Sequence, residues 1–295
     1  MRSILAAAVA LLAVVLAVAP AAALRLEPYK DELFAYPGIL EQQFGGDWLR
    51  VDYNRKRDLQ DRDAEDERKV HGEYVSIVGG ERTLTLKVGD ASVKYIAVGR
   101  TEGARLVVIY LHGMNGSRFQ GVDDWMFGGN FNRVKNLMAR NDGLYISPDF
   151  TDFTQRGKVE ITALMEAVAA KNPGAPIFVA CGSYGGVLCW NLAGDPQSAR
   201  LLGGLMFLGS ISDEAFPAVA GNWEPSSWLP IYIGHGSADA VFDWRDQDAF
   251  FRRLKGFSPS YPVRFTLFET GSHGTPIRMT DWRLVLNWML AASGR

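Results

Sequence analysis

Residues 177–186 read Ile-Phe-Val-Ala-Cys-Gly-Ser-Tyr-Gly-Gly, an apolar run followed by a serine with small residues around it. The apolar start is typical of a buried strand, and a helical stretch begins at about Gly185. Ser183 therefore lies, in this prediction, on a tight turn between a strand and a helix. Such a turn needs small neighbours, because strand and helix approach closely and the serine adopts a strained conformation that exposes its hydroxyl. The stretch predicts an exposed nucleophile at the end of a strand.

Strands and helices alternate from Arg105 to the carboxyl terminus. The apolar runs are LVVIYL (106–111), LYISPDF (144–150), IFVACGS (177–183), GLMFLGS (204–210), PIYIGHG (230–236) and VRFTLFE (263–269). The predicted helices lie near Phe131–Arg140, near Lys158–Lys171, from about Gly185, near Trp244–Leu254 and near Thr280–Ala291. This alternation predicts a parallel sheet covered on both faces, with the functional site at the carboxyl ends of the strands. Before Arg105, the runs Tyr74–Val78, Arg82–Val88 and Ser92–Val98 predict an antiparallel ribbon.

The residues that follow the later strands supply partners for a serine nucleophile. The four histidines are His71, His112, His235 and His273. Of these, His273 follows the final predicted strand, in Gly-Ser-His-Gly-Thr, and Asp239 lies in the loop after PIYIGHG. Ser183, Asp239 and His273 thus occur in the order nucleophile, acid, base. A serine hydroxyl is a weak nucleophile, so His273 would accept its proton while Asp239 orients the imidazole.

With these motifs, the sequence from about Tyr74 onward resembles the α/β-hydrolase family. LHGMNGS at Leu111–Ser117 is similar to the segment that supplies the family's second oxyanion donor. The resemblance implies the α/β-hydrolase fold, with a mostly parallel central sheet, helices on both faces and a short cap segment. It also implies an oxyanion hole made by the backbone N–H groups of Met114 and Tyr184. The sequence departs from the common family pattern at Cys181, where that pattern has glycine.

Some of these residues have alternative interpretations. Asp239 could instead cap the following helix, which would leave Asp243 or Asp246 as the acid, but the Gly-Ser-Ala-Asp spacing favours Asp239. His112 and His235 each precede a glycine at a strand end, and we interpret them as hydrogen-bonded structural histidines. No His-x-x-x-His or Cys-x-x-Cys spacing predicts a zinc site, and no phosphate-binding loop is present in the sequence. The sequence implies neither a metal nor another cofactor.

The substrate is the least determined part of the prediction. The segment Ile211–Leu229 is too short for a full lid domain, and its aromatic residues Phe216, Trp223 and Trp228 would line an acyl pocket or else pack over the sheet. Our first hypothesis is a serine hydrolase that cleaves carboxylic esters through an acyl-enzyme, as a carboxylesterase or a lipase- or phospholipase-like enzyme. The alternatives are a peptidase or amidase on the same triad, and a binding protein that has the fold without turnover.

The amino terminus predicts export. Met1–Ser3 precede an apolar run that continues through Pro20 to Ala23, which fits a secretory signal over residues 1–23 cut after Ala23. The mature protein would be periplasmic or secreted, with an uncleaved membrane anchor as the alternative. With 31 Lys and Arg against 33 Asp and Glu, the charge does not favour nucleic acid as a partner. The expected partner is a small-molecule or lipid ester, and a lipid ester would bring peripheral contact with membrane lipids.

Residues 24–72 form a predicted amino-terminal extension before a catalytic domain at 73–295. Within the extension, 12 of the 15 residues of Arg55–Lys69 are charged, which predicts a solvated helix with ion pairs. The two cysteines, Cys181 and Cys189, would have to cross a corner between strand and helix to form a bridge. We therefore expect two buried free thiols, although an oxidising compartment permits a disulfide.

Overall fold

The structure is a computed structural model that describes residues 24–77 and 79–293. Its strands are β1 Ile39–Gln43, β2 Trp48–Val51, β3 Asp63–Glu65, β4 Lys69–Val70, β5 Arg82–Val88, β6 Ala91–Gly99, β7 Val107–Leu111, β8 Leu144–Pro148, β9 Ile177–Gly182, β10 Leu202–Leu208, β11 Ile231–Gly236 and β12 Val263–Phe268. Its α-helices are α1 Asp31–Phe34, α2 Asn130–Arg140, α3 Gln155–Lys171, α4 Gly185–Ala193, α5 Pro196–Ala199, α6 Phe216–Ala220, α7 Trp244–Phe257, α8 Thr275–Met279 and α9 Trp282–Ala292.

Ten strands form one sheet, in the order β1-β2-β12-β11-β10-β9-β7-β8-β6-β5. Strands β7 to β12 and β2 run parallel, whereas β1 and β6 run antiparallel to their neighbours β2 and β8. The central strands are buried along their whole length, which is why they read as continuous apolar runs in the sequence. A mostly parallel sheet with helices on both faces agrees with the predicted fold class.

The strand order places a crevice at the middle of the sheet. From β7 the chain moves outward to β8, and after β9 it moves in the opposite direction through β10, β11 and β12. The loops that follow β7 and β9 therefore leave the sheet toward opposite sides. Ligands bind at such a switch point, outside the carboxyl ends of the strands. The loops that carry Gly113 and Ser183 begin at this crevice.

Each face of the sheet carries its own hydrophobic core. One core packs residues of α3, α4 and α7, such as Leu164, Leu188 and Phe250, against the sheet. The other packs α2 and α9, with Phe131 and Trp282 fully buried. In α2, α7 and α9 the apolar positions recur every three or four residues, so each of these helices presents one apolar stripe to the sheet. The sheet, and the loops at its edge, are thereby fixed from both sides.

The amino-terminal region adds two strands to the central sheet, because β1 and β2 lie next to β12. The predicted charged helix is wrong: only Lys56–Gln60 is helical, and the two-stranded hairpin β3–β4 follows it. The reason is tertiary, since Asp58, Arg62 and Asp63 are buried against other parts of the chain and are not solvated on a helix face.

The antiparallel ribbon has two strands, and the cap segment is short. The antiparallel ribbon consists of β5 and β6, while the predicted strand at Tyr74 is instead the end of a 3-10 turn, Gly72–Tyr74. Residues 211–229 contain only α6 and the 3-10 turn Pro225–Ser227, so the cap segment is short as predicted. The predicted signal, residues 1–23, lies outside the described residues. Within residues 24–77 and 79–293, no helix combines the length and hydropathy that crossing a membrane requires.

Candidate active site

Ser183 stands on the predicted tight turn between β9 and α4. Its φ is 50°, a left-handed conformation that is strained for a residue with a side chain. The glycine two residues later is required by close packing, because a Cβ on Gly185 would lie 2.7 Å from the carbonyl oxygen of Leu111. Strand, turn and helix are therefore packed too closely for larger neighbours. The turn holds the serine hydroxyl out from the end of the sheet.

The two cysteines on either side of this turn are joined, so the expectation of two free thiols is wrong. Cys181 and Cys189 form a disulfide across a Cα–Cα distance of 6.5 Å. Helix α4 folds back along β9 directly after the turn, which brings the first turns of the helix within bonding reach of the strand. Both cysteines are fully buried in the core. The bridge closes the loop that carries Ser183, and it accounts for cysteine at the position where glycine is common.

The three side chains predicted as a triad form one hydrogen-bonded chain. The Ser183 Oγ lies 2.8 Å from His273 Nε2, and His273 Nδ1 lies 2.8 Å from Asp239 Oδ2. The carboxylate is fully buried, whereas 30% of the His273 side chain is exposed. Asp243, the alternative acid, is the N-cap of α7 and accepts a hydrogen bond from the Arg245 N–H. The capping role and the histidine contact therefore belong to two different aspartates.

The environment of Asp239 keeps its carboxylate charged. Burial alone would raise the pKa of Asp239, but hydrogen bonds from His235, His273 and the Val241 N–H outweigh burial and hold the pKa well below its ordinary value. The backbone N–H groups of Val241 and Phe242 donate to Oδ1 at 2.8 and 3.2 Å, which leaves Oδ2 to face the imidazole. The acid is therefore fixed both in charge and in orientation.

Within residues 24–77 and 79–293, the two backbone groups predicted for the oxyanion hole have no hydrogen-bond partner. In the part of the chain that the structure describes, neither the Met114 N–H nor the Tyr184 N–H donates a hydrogen bond to a protein acceptor. Gly113 allows the first loop to approach the serine, because a Cβ there would lie 2.8 Å from the Ser183 Cβ. Tyr184 directly follows Ser183 and is the N-cap of α4, where the helix dipole favours negative charge. Both donors are thus available to an anionic oxygen.

An aromatic cluster that the sequence analysis missed lies beside Ser183; we call it the aromatic wall, and it consists of His112, Phe150, Phe153 and Tyr184. His112 stacks on Phe150 with ring centroids 4.3 Å apart, and Phe153 contacts the edge of Tyr184 at 5.1 Å. His112 is a structural histidine as predicted, since its Nδ1 lies 2.9 Å from the Gly113 carbonyl oxygen and burial lowers its pKa. The signal was present in the sequence, because Phe150 ends the apolar run LYISPDF and Phe153 comes three residues later.

The aromatic residues predicted for the acyl pocket lie elsewhere. Phe216 is buried between helices, 4.9 Å from the ring of Trp190. Trp223 and Trp228 line a cavity of about 700 Å³ together with residues at the amino end of β10, such as Leu202. The triad is at the carboxyl ends of the strands, so these tryptophans are at the opposite edge of the sheet. Phe216, Trp223 and Trp228 therefore do not line a pocket at Ser183, and the alternative, packing over the sheet, describes all three.

The charged amino-terminal segment supports the loop that carries the histidine. Arg278 in α8, five residues after His273, donates hydrogen bonds of 2.8 and 2.6 Å to the buried Asp63 carboxylate. Arg62 donates to the Gly128 carbonyl oxygen at 2.7 Å. These contacts join the β3–β4 hairpin to the loops around the site. Sequence reasoning missed them, because buried ion pairs look the same as solvated ones in a charged run.

Outside the undescribed residues 1–23, 78 and 294–295, no three His, Cys, Asp or Glu side chains are grouped so that they could hold a metal ion. The groups that meet at Ser183 are a hydroxyl, an imidazole, a carboxylate and two free N–H donors. Such a set can activate a nucleophile and stabilise an oxyanion.

Comparisons with solved structures bear on the fold. The chain is similar to a thermostable esterase, with a TM-score of 0.55 and 14% identity over 72% of this chain and 62% of that one. It is also similar to a protein of unknown function from Agrobacterium tumefaciens described as an α/β hydrolase, with a TM-score of 0.54 and 14% identity over 71% and 95%. A Pyrococcus furiosus esterase matches with a TM-score of 0.50 and 14% identity over 73% and 97%. In sequence, the chain matches no protein-family model and no curated protein. The structural likenesses show that this chain has the α/β-hydrolase fold.

Proposed function

We propose that this α/β-hydrolase-fold protein is an exported serine hydrolase that cleaves carboxylic esters through an acyl-enzyme. One observation carries the proposal: the continuous hydrogen-bonded chain from Ser183 through His273 to Asp239, with 2.8 Å at each step. A serine and a histidine in contact are common in proteins. A serine in strained backbone geometry, bonded to a histidine whose other nitrogen meets a buried carboxylate, is the arrangement that acyl transfer requires.

The first half-reaction follows from the hydrogen-bond directions. Ser183 Oγ attacks the ester carbonyl carbon while its proton moves to His273 Nε2. The carbonyl oxygen becomes an oxyanion and accepts hydrogen bonds from the Met114 and Tyr184 N–H groups. Asp239 stabilises the imidazolium through Nδ1. As the carbon–oxygen bond to the leaving group breaks, His273 returns the proton to the departing alcohol and leaves an acyl-serine.

The second half-reaction repeats the same steps with water. His273 removes a proton from a water molecule, which attacks the acyl carbonyl carbon. The second tetrahedral intermediate uses the same two N–H donors. When it collapses, Ser183 Oγ leaves and regains the proton from His273, and the carboxylic acid is released. Atoms and charges balance over the cycle, because one water is consumed for each ester bond.

The aromatic wall supports an apolar acyl group as the part of the substrate nearest the serine. Phe153 and Tyr184 are both partly exposed beside Ser183, so they offer apolar surface to a chain leaving the carbonyl carbon. Each methylene buried there would contribute about 0.8 kcal/mol. Charged side chains are absent from the four residues of the wall. We therefore favour small acyl esters and fatty-acyl lipids, including phospholipids, as the substrate class.

The proposal that the protein is exported has support besides the amino-terminal run. The disulfide Cys181–Cys189 is buried within the core. Disulfides persist in oxidising compartments and are rare in the cytosol of mesophiles. Edman sequencing or mass spectrometry of protein from its native host should therefore find a terminus at or near Leu24. An intact Met1 on membrane-bound protein would replace export of a free enzyme with an anchored form.

The first experiment tests the nucleophile. A fluorophosphonate probe should label the wild-type protein, and Ser183→Ala should abolish both the labelling and the hydrolysis of p-nitrophenyl butyrate. Ser260→Ala is the matched control, since Ser260 is exposed in the loop after α7, and it should behave as wild type. Labelling of the Ser183→Ala protein at the wild-type level would refute the assignment.

The second experiment tests the substrate class. Phe153→Ala should lower kcat/KM for a C8 ester more than for a C4 ester, by about fourfold for each methylene that loses contact. Trp228→Ala, at the opposite edge of the sheet, is the control and should leave the C8/C4 ratio unchanged. Release of fatty acid from phosphatidylcholine vesicles tests whether lipids are included. A wild-type protein that cleaves peptide amides but neither esters nor phospholipid would replace the ester proposal with an amidase.

A further inference from the structure

A second histidine, His235, contacts the acid of the candidate triad. It is the next-to-last residue of β11, beside the loop that carries Asp239, and its side chain is fully buried. The Nε2 atom lies 3.1 Å from the Phe242 carbonyl oxygen and 3.3 Å from Asp239 Oδ2. The same carboxylate oxygen receives the Nδ1–H of His273. Two imidazoles therefore converge on one oxygen of one carboxylate.

The surroundings of His235 fix its protonation. A carbonyl oxygen and a carboxylate oxygen can only accept, so Nε2 must carry a hydrogen that points between them. Its other nitrogen, Nδ1, is buried and has no hydrogen-bond partner in the described part of the chain. A hydrogen on Nδ1 would be a buried donor without an acceptor, which is costly. His235 therefore carries its hydrogen on Nε2.

The loop that His235 holds touches His273 at two points. Asp239 bonds His273 Nδ1 at 2.8 Å, and the ring of Phe242 lies 5.7 Å from the imidazole of His273 between centroids. His235 Nε2–H donates to the carbonyl oxygen of Phe242 and lies 3.3 Å from the Asp239 carboxylate. One hydrogen thus links both parts of the loop that face the candidate base.

We propose that His235 is a positioning residue for the catalytic acid, whose Nε2–H holds the Asp239 carboxylate and the Phe242 backbone in place against His273. The inference rests on the proposed function, because it assigns His235 a role only if Asp239 is the acid. Without His235, the carboxylate keeps the two backbone N–H groups at Oδ1. At Oδ2 only His273 then remains. The titratable groups that face the pair are His273 and Asp243.

The test compares two substitutions of similar size. His235→Leu removes the donor, and His235→Gln keeps an N–H near the position of Nε2. We expect His235→Leu to lower kcat by about 10- to 100-fold with little change in KM, as typical for losing a hydrogen bond to a charged group. We expect His235→Gln to keep most of the activity. His71→Gln, at an exposed histidine, is the control and should behave as wild type.

The pH profile separates positioning from general support of the fold. In His235→Leu, the Asp239 charge is held by fewer donors and attracts a proton on His273 more strongly. The rising limb of kcat/KM against pH should therefore move to higher pH, while His235→Gln keeps the wild-type limb. Equal losses in both variants, or a limb that does not move in His235→Leu, would overturn the inference.

A measurement on the wild type remains decisive even if His235→Leu fails to fold. Nitrogen-15 NMR of labelled imidazoles should show a histidine with hydrogen on Nε2 and a bare Nδ1, and this signal should be absent from His235→Gln and present in His71→Gln. A His235 signal with hydrogen on Nδ1 would refute the inference, because Nε2 could then not donate to the loop. Fluorophosphonate labelling of the wild type tests the proposed function separately. If the wild type is labelled and His235→Leu keeps the wild-type kcat, the inference about His235 is refuted and the proposed function is not.

Discussion

Replacing Asp239 by asparagine changes one atom and should disable the histidine. The Val241 and Phe242 N–H groups donate to Oδ1 at 2.8 and 3.2 Å, so the amide oxygen of an asparagine must occupy that position. The amide NH₂ then replaces Oδ2, which lies 2.8 Å from His273 Nδ1. Two donors cannot face each other at that distance. The imidazole must therefore move its hydrogen from Nδ1 to Nε2.

That tautomer cannot serve as the base. With hydrogen on Nε2, the imidazole points a donor at Ser183 Oγ, 2.8 Å away, and has no lone pair to accept the serine proton. Loss of the correct tautomer typically lowers kcat by about 10⁴ in a serine triad. We expect a loss of about 10³ to 10⁴ here, which corresponds to roughly 4–5.5 kcal/mol in the activation free energy. The fold should survive, because the backbone donors at the loop keep their acceptor.

The assay is kcat for a p-nitrophenyl ester, with circular dichroism and thermal unfolding to confirm that the variant is folded. Asp243→Asn is the matched control: Asp243 caps α7 and is exposed, and asparagine caps helices about as well as aspartate. The control should keep kcat within about twofold, in line with that equivalence. A folded Asp239→Asn protein that retains more than about a tenth of wild-type kcat would refute the reasoning, since the wrong tautomer allows far less. So would a control that loses as much as the test variant.

Other consequences of the structure can be tested separately. Gly113→Ala should lower kcat by up to about 10²–10³, the usual cost of losing one oxyanion donor. The added Cβ would lie 2.8 Å from the Ser183 Cβ and would displace the loop that carries the Met114 N–H, and initial rates with probe labelling measure the effect. Asp63→Asn should lower the free energy of unfolding by about 3–5 kcal/mol, since it leaves the buried Arg278 without its charged partner; urea titration measures this, and a change under 1 kcal/mol would contradict the ion pair's role. Iodoacetamide under denaturing, non-reducing conditions should alkylate no cysteine, and changing both bridged cysteines to serine should cost about 2–3 kcal/mol of stability.

From β7 onward, the sequence alone determined the architecture and the order of the chemistry. Parallel strands buried on both faces are near-continuous apolar runs joined by helices, so the alternation from β7 to α9 is visible in the residues themselves. The residue directly after such a run lies at the carboxyl edge. For that reason Ser183, Asp239 and His273 could be named from their places in the chain, and the structure brings these three together within hydrogen-bond distance.

What only the tertiary structure decided depends on contacts between distant parts of the chain. The disulfide could be predicted only from the way α4 folds back along β9. The neighbours of Trp228 could be predicted only from the edge of the sheet that its segment reaches. Asp63 is stable in a buried position because it pairs with Arg278, more than 200 residues later in the chain. The sequence around Asp63 shows only a charged run, which is typical of a solvated segment. Local patterns record which face of an element is apolar and where it ends. Tertiary packing decides which buried groups come into contact. A buried charge is stable only when packing also buries its partner next to it.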